Sequence, residues 1–244
     1  MEARRKALVL IGSPKPGPSA SLVLGAALAE RLAKRGYSVE TTRIVKALRT
    51  TEATQTMLEQ LDTADVVVLA TPLYADSLPA PVVRALELSA ERRSRRSVDD
   101  RGGPIRGSQR FVGIVNCGFP ESEQCATALE ICRLFAREAG FVWAGGLARG
   151  MGGSVAGRPL ERGPHARSAA PALDLVAAAL ARGEDVPREA VELMSKHAMP
   201  AWSYQTMGNL GWHMQARGKT GGRSLRYRPY ATASPPAATA HDLP

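Results

Sequence analysis

The stretch that decides the fold is IGSPKPGPSASLVLGAALAERL, residues 11–32, which directly follows the apolar run at residues 7–10. Its first half is a loop with two glycines, three prolines and three hydroxyl side chains. Its second half repeats apolar residues at helical spacing, and Ser19 is suited to cap that helix. Unpaired amide groups at a helix start, beside hydroxyls, form a site for an anion such as a phosphate. An ordinary strand–helix connection with a serine cap remains an alternative for this stretch alone.

The same alternation of apolar strand and amphipathic helix repeats along the chain. Strands are predicted at residues 7–12, 38–45, 66–70, 110–116 and 141–149, and helices around 22–34, 53–61, 80–92, 122–139 and 173–180. Strands that are apolar throughout, each followed by a helix, indicate a parallel sheet covered on both faces. We therefore predict an α/β, doubly wound fold with a five-stranded parallel sheet in the order 2-1-3-4-5.

Three of the predicted strands end in segments rich in glycine, proline and polar residues. These segments are 12–14, 71–74 and 116–119, after the first, third and fourth strands. The three strands are neighbours in the predicted order, and ligands of such folds gather at the carboxyl ends of the strands. This convergence favours a ligand site over a plain connection.

The repeating pattern stops near residue 183, which divides the chain into three predicted parts. Residues 1–182 form the α/β domain, 183–228 a C-terminal helical and aromatic extension, and 229–244 a disordered tail rich in Ala, Thr and Pro. The extension holds two of the three tryptophans, and three of its apolar residues recur at helical spacing, which predicts a short amphipathic helix. Those residues are Met207, Leu210 and Met214.

The net charge of +9 is concentrated in two segments. Residues 92–110 hold seven basic and two acidic residues, residues 201–244 hold five and one, and the remainder is balanced. Nucleic-acid binding by the body of the protein is therefore disfavoured. Because no apolar run is long enough to cross a bilayer, we expect no membrane partner and a cytoplasmic protein.

The three cysteines lack the spacing of metal ligands or of a disulfide framework, so no metal site is predicted. Cys125 and Cys132 are seven residues apart on a predicted helix and therefore share a face. A buried apolar role is the first interpretation of this pair, and a redox role the second.

The motifs of the loop narrow the class of ligand. The loop lacks the Lys-Ser/Thr ending of a triphosphate site, it has no GxGxxG pattern, and no acidic residue ends the second strand. A terminal monophosphate remains, beside Tyr74, which can stack on a ring. Flavin mononucleotide (FMN) meets both demands, with Ser13, Ser19 and Ser21 as donors and Lys15 as a nearby positive charge.

The segments GSPKPG, TPLYADSLPAPVVRALE and NCGFPES resemble those of the flavodoxin-like NAD(P)H-dependent FMN reductases, over about residues 5–182. The resemblance implies a flavodoxin-like fold, FMN as cofactor and three groups of cofactor-binding residues. Around the phosphate these are Ser13, Lys15, Ser19, Ser21 and Leu22; along the ring Pro72, Leu73 and Tyr74; and at its other edge Asn116, Cys117, Gly118 and Phe119. Pro18, which has no N–H, departs from the polar residue usual in that family.

The resemblance implies an FMN-dependent NAD(P)H oxidoreductase. Hydride would pass from a nicotinamide to FMN and then to a flavin, quinone, nitro or azo acceptor, without a dedicated catalytic side chain. A homodimer is expected. Two alternatives stay open: a flavodoxin-type FMN electron carrier, and a non-catalytic flavodoxin-fold binding module.

The arginines at residues 92–106 have two interpretations. Arg92, Arg93, Arg95 and Arg96 close a predicted helix, where a solvated helix end is the leading explanation. The sharper hypothesis is that Arg101 or Arg106 binds the 2′-phosphate of NADPH.

Overall fold

Five parallel strands form the centre of the fold, in the order β2-β1-β3-β4-β5, as predicted. The computed structural model describes residues 4–99, 109–161 and 167–217. Its strands are β1 Lys6–Ile11, β2 Ser38–Arg43, β3 Val66–Pro72, β4 Arg110–Asn116 and β5 Val142–Arg149. Its helices are α1 Ala20–Lys34, α2 Ile44–Ala47, α3 Thr51–Thr63, α4 Ala80–Asp99, α5 Ala126–Glu138, α6 Gly152–Val155, α7 Ala169–Arg182, α8 Arg188–Ser195 and α9 Ala201–Ala216, with a 3-10 turn at Ser122–Cys125 before α5.

Helices cover both faces of the sheet, because successive side chains of each strand point to opposite faces. In β1, Val9 and Ile11 pack with α1 and α7, whereas Leu8 and Leu10 pack with α3 and α4. All four side chains are at most 1% exposed. The doubly wound architecture predicted from the strand pattern is confirmed.

Among the element boundaries that differ from the prediction, two have a clear physical reason. Strand β2 ends at Arg43 because Ile44 is fully buried as the first residue of the short helix α2. Helix α4 continues to Asp99 instead of ending near Arg92, since no glycine or proline interrupts that stretch.

The solvated helix end expected for the arginines of α4 is wrong for Arg93. This side chain is buried, and its guanidinium lies 4.0 Å from the centre of the Phe141 ring. Its Nε donates to the Ala139 carbonyl at 2.6 Å, and its Nη1 donates to Gln109 Oε1 at 2.7 Å. Arg93 therefore joins α4 to the segments that precede β4 and β5. These segments lie at the amino-terminal ends of the two strands.

The first compact unit runs from Met1 to Pro200. It extends past residue 182 because α8 buries Ala190 and Met194 completely in the cluster formed by α1, α7 and β1.

Helix α9 belongs to a second unit, which begins at Ala201. The helix contains no Asp, Glu, Lys or Arg, and none of its residues is buried. Trp202 is 71% exposed and Trp212 is 70% exposed. At 100° per residue, Met207, Leu210 and Met214 share one side while Trp212 lies opposite. The predicted helix is present, but its apolar residues do not form a single face.

No described helix is long and apolar enough to cross a membrane.

Candidate functional site

The carboxyl ends of β1, β3 and β4 lie side by side in the sheet. In the register, Ile11 pairs with Ala70 and Pro72 pairs with Asn116. The pairing continues one residue beyond the strands, because Gly12 N–H donates to the Ala70 carbonyl and Leu73 N–H to the Asn116 carbonyl, both at 2.8 Å. The structure thus brings together the three segments that the sequence singled out.

Gly12 begins the loop after β1 at a point of close contact. A Cβ at this position would lie 2.7 Å from both Thr71 Oγ1 and Val82 Cγ2. Only glycine therefore lets the first loop pass directly against the end of β3 and the start of α4.

Ser19 is the N-cap of α1, as predicted. Its Oγ accepts from Leu22 N–H at 3.2 Å, and its carbonyl accepts from Val23 N–H at 3.1 Å. The amides of Ala20 and Ser21 open the helix and have no carbonyl acceptor within it. The Ser19 hydroxyl keeps its own proton for a further acceptor, because it accepts rather than donates in the cap.

Ser13 lies at the base of the same loop and is 3% exposed. Its hydroxyl forms no hydrogen bond with residues 4–99, 109–161 or 167–217. The intervening residues 15–18 are exposed. The loop therefore combines a buried, available hydroxyl with an accessible backbone.

The Ser21 hydroxyl is bonded within the protein. It donates to Asn116 Oδ1 at 2.7 Å, and both side chains are buried. This bond joins the start of α1 to the end of β4 and directs the Asn116 amide nitrogen towards Gly152, whose Cβ would lie 3.0 Å away. Ser21 thus positions Asn116, a role that its sequence neighbourhood did not indicate.

Arg43 is a further residue of the site that the sequence analysis missed. Its guanidinium donates to the carbonyls of Lys15 and Pro16 in the exposed part of the loop. The register explains the contact, because Arg43 pairs with Ile11 immediately before that loop. The sequence signal for this residue is an arginine at the end of the edge strand β2. The sequence analysis considered that position only for an acidic residue.

Tyr74 begins a tight turn after β3. Tyr74 and Ser77 exchange two backbone hydrogen bonds, at 2.9 and 3.0 Å. The residues between them, Ala75 and Asp76, have φ of 45° and 57°, the left-handed pair that such a two-residue turn requires. Neither is glycine, so the turn holds strain on the order of 1 kcal/mol per residue. The turn leaves Tyr74 42% exposed, next to the half-buried Pro72 and Leu73.

The end of β4 passes from buried to exposed within four residues. Asn116 and Cys117 are buried, whereas Gly118 is exposed and Phe119 is 55% exposed. Phe119 and Tyr74 are therefore exposed aromatic side chains that follow neighbouring strands.

The Cys117 sulfur is surrounded by hydrogen-bonding groups. It donates to the Glu121 carbonyl at 3.4 Å and the Phe119 carbonyl at 3.6 Å. The interaction with the Cys125 side chain lowers the pKa of Cys117 to about 7, against the opposing effect of burial.

The turn after β5 holds this segment in place. Met151 N–H donates to the Phe119 carbonyl at 2.7 Å, and Gly152 N–H donates to the Cys117 carbonyl at 2.8 Å. A Cβ on Gly152 would lie 2.9 Å from the latter oxygen, so a larger residue would displace the segment. In the sequence, the glycine-rich run at residues 150–157 was the available signal for this close contact.

Arg149, the last residue of β5, is 1% exposed. Its Nη1 donates to the carbonyls of Met194 and Lys196, both at 2.9 Å, and to Ser168 Oγ at 3.2 Å. Burial lowers the pKa of Arg149 to about 10. These contacts hold the end of α8 and the start of α7 against the sheet.

The site offers anion donors and aromatic surfaces, and the described part of the chain contains no cluster of three His, Cys, Asp or Glu side chains that could hold a metal. Residues 5–122 match the model of a family described as having a flavodoxin-like fold. This match and the strand order confirm the flavodoxin-like resemblance found in the sequence. A search of curated proteins finds no match.

Several solved structures are similar to the chain at low identity. An FMN-dependent NADH-azoreductase from Bacillus anthracis, in complex with FMN, has a TM-score of 0.52 and 14% identity, covering 72% of this chain and 100% of its own. Rubredoxin oxygen:oxidoreductase from Desulfovibrio gigas has a TM-score of 0.50 and 15% identity, covering 72% of this chain and 35% of its own. RosB, with bound 8-demethyl-8-formylriboflavin-5′-phosphate, has a TM-score of 0.49 and 14% identity, covering 98% of this chain and 96% of its own. At these identities, the likeness to the azoreductase and to rubredoxin oxygen:oxidoreductase establishes the fold alone.

Proposed function

Because residues 5–122 have a flavodoxin-like fold, we propose that the chain is an FMN-dependent NAD(P)H oxidoreductase of the cytoplasm. The observation that carries the proposal is the meeting of three segments at neighbouring strand ends: the loop 13–19, the turn at Tyr74, and residues 116–119. The first supplies anion donors, and the other two supply exposed aromatic side chains and buried polar ones.

The phosphate of FMN fits the loop after β1. The hydroxyls of Ser13 and Ser19 and the free amides at the start of α1 are the donors, and no acidic residue lies in the first turn of that helix. Lys15 supplies a positive charge, and Arg43 positions the loop through its carbonyls. Hydrogen bonds to a charged group contribute about 1.5–3 kcal/mol each. Three such bonds hold a phosphate without a metal, even though Pro18 offers no N–H.

The flavin ring fits between the ends of β3 and β4. Tyr74 and Phe119 offer aromatic surface at its two sides, and Asn116 and Cys117 offer polar atoms at one edge. The half-buried Pro72 and Leu73 exclude water from beneath it. FMN, when bound, would supply the hydride-accepting chemistry, so the protein's role is to bind and orient the reactants.

The nicotinamide and acceptor complete the proposed reaction. NAD(P)H donates the hydride, and the final acceptor is a flavin, quinone, nitro or azo compound. The similarity to an FMN-dependent NADH-azoreductase supports the azo class and the use of a nicotinamide. Arg101 and Arg106, proposed to bind the 2′-phosphate of NADPH, lie outside the described residues. Their guanidinium groups suit a phosphate through paired hydrogen bonds.

A homodimer is part of the proposal. Helix α9 exposes five large apolar side chains and contains no Asp, Glu, Lys or Arg, a composition unsuited to lasting contact with water. A second copy of the chain is the occupant we propose. Sedimentation at micromolar concentration tests this part, and a monomer there would contradict it.

The experiment that tests the function uses the purified full-length chain. We expect a yellow protein with an FMN absorbance spectrum, or an apoprotein that quenches added FMN fluorescence as it binds. Under anaerobic conditions, NADPH or NADH should bleach the flavin absorbance, and a quinone or azo dye should restore it.

Each other outcome has a distinct meaning. A flavin that dithionite bleaches and both nicotinamides leave unchanged would identify an electron carrier instead. Failure to bind FMN at all would reject the cofactor and leave a non-catalytic module.

A further inference from the structure

Ser21 and Asn116 form a buried hydrogen bond between two elements of the candidate site. Ser21 is the second residue of α1, and Asn116 is the last residue of β4. The Ser21 hydroxyl donates to Asn116 Oδ1 at 2.7 Å, and the two residues are 1% and 7% exposed. A hydroxyl has a single proton, so this bond leaves Ser21 without a donor for a ligand. Ser21 therefore does not donate to a phosphate while the bond is intact.

The same bond determines which end of the Asn116 amide is available. Its oxygen accepts from Ser21, so the nitrogen with its two N–H groups is the end that remains. This nitrogen donates to no acceptor in the described part of the chain, and it is not closed off from solvent. In so deeply buried a residue, an N–H without an acceptor costs free energy. The nitrogen is thus a donor that a ligand can complete.

The amide of Asn116 is also confined on its nitrogen side. A Cβ on Gly152 would lie 3.0 Å from Asn116 Nδ2, so glycine at this position gives the amide its room. Gly152 is itself held in place, because its N–H donates to the Cys117 carbonyl at 2.8 Å. Ser21 on one side and Gly152 on the other therefore keep the amide in one orientation.

Asn116 lies between the two parts of the site to which the phosphate and the ring are assigned. Its backbone carbonyl accepts from Leu73 N–H, which belongs to the ring segment. Its side chain bonds to Ser21, two residues after the Ser19 cap of the phosphate segment. In FMN the ribityl chain joins the phosphate to the ring, so a donor between these segments faces the ribityl chain or the adjoining ring edge.

We propose that Ser21 is a positioning residue, which orients the Asn116 amide so that its nitrogen donates to an oxygen of the FMN ring or ribityl chain. The inference rests on the FMN binding of the proposed function, but it needs neither a nicotinamide nor an electron acceptor. Ser21 affects flavin affinity only through Asn116, whereas the Ser19 hydroxyl donates to the phosphate directly.

The experiment is a double-mutant cycle on the full-length apoprotein, with the Kd for FMN measured by fluorescence titration. Asn116→Ala should raise the Kd about two- to tenfold, because one uncharged hydrogen bond to the flavin is lost. Ser21→Ala should raise the Kd by no more than that factor. In the Asn116→Ala background, Ser21→Ala should cause no further change, because the group through which it acts is gone.

Ser19→Ala is the matched control for the cycle. Its effect should multiply with that of Asn116→Ala, because the two donors reach different parts of FMN. The visible spectrum of bound flavin identifies the acceptor of the amide. A spectrum altered by Asn116→Ala indicates a ring carbonyl, and an unaltered spectrum with a raised Kd indicates a ribityl hydroxyl.

Three results would overturn the inference. An equal effect of Ser21→Ala in both backgrounds would show that its hydroxyl contacts FMN directly. A wild-type Kd for Ser21→Ala, even with a lower melting temperature, would reduce the bond to a structural link. A loss above tenfold for Asn116→Ala, as large as that expected for a donor to a charged group, would place the amide on the phosphate.

If Ser21→Ala does not fold, Asn116→Asp takes over the test. The carboxylate keeps an oxygen for Ser21 but replaces the donor nitrogen by an acceptor. Its FMN affinity must fall even at high salt, which screens repulsion of the phosphate; retained affinity would overturn the inference. A wild-type chain that binds no FMN would reject the proposed cofactor and this inference with it. FMN that binds but is not bleached by a nicotinamide would reject the reductase activity alone.

Discussion

Two helix caps in this protein allow a matched test of the phosphate site. Ser19 caps α1 beside the candidate site, with its Oγ 3.2 Å from Leu22 N. Thr50 caps α3, with its Oγ1 3.1 Å from Ala53 N. Thr50 lies outside the three segments of the candidate site. Replacing either with alanine removes one cap hydrogen bond, which costs about 1 kcal/mol of stability. For a chain of this size, each variant should therefore melt about 2–4 °C below the wild type.

The two variants should differ in FMN affinity. Ser19→Ala also removes a donor to the phosphate, worth about 1.5–3 kcal/mol. At about 1.4 kcal/mol per factor of ten, its Kd for FMN should rise about ten- to a hundredfold. Thr50→Ala should keep the wild-type Kd.

Fluorescence titration of FMN into the apoprotein, together with thermal melts without FMN, gives both quantities. Ser19→Ala with unchanged affinity would refute the placement of the phosphate. Equal losses of affinity in both variants would show that the effect comes from stability alone.

Four further predictions concern other parts of the molecule. Tyr74→Ala should alter the visible spectrum of bound flavin and raise the Kd, and an unchanged spectrum would favour a purely structural tyrosine. Arg149→Met should lower the free energy of unfolding in urea by about 2 kcal/mol or more, because buried acceptors lose their donor; wild-type stability would contradict this. Alkylation of Cys117 by iodoacetamide should accelerate as pH rises through about 7, where its thiolate forms; a midpoint near 9 would contradict the lowered pKa. Arg101→Ala and Arg106→Ala should weaken NADPH more than NADH, and less so at high salt; equal losses would reject the 2′-phosphate contact.

The sheet could be predicted from the sequence because its signal is local. Each buried strand is a continuous apolar run, and each following helix shows its own periodicity, so order and direction follow from general rules of such folds. The cap at Ser19 was predictable for the same reason. Its donor, Leu22 N–H, lies only three residues away.

The contacts that complete the site join distant parts of the chain and left no local pattern. Arg43 reaches the carbonyl of Pro16, and Ser21 bonds to Asn116, 95 residues away. For Arg93 a local pattern was present, but it predicted the wrong environment. In sequence it is one of a run of arginines typical of a solvated helix end, but the fold supplies the Phe141 ring and a carbonyl that bury it.

A crystal structure of the full-length chain grown with FMN would test the central claim most directly. We expect the phosphate within hydrogen-bonding distance of the Ser13 and Ser19 hydroxyls, at the start of α1, with the ring between Tyr74 and Phe119. A phosphate bound elsewhere, or a ring that contacts neither aromatic side chain, would contradict the account.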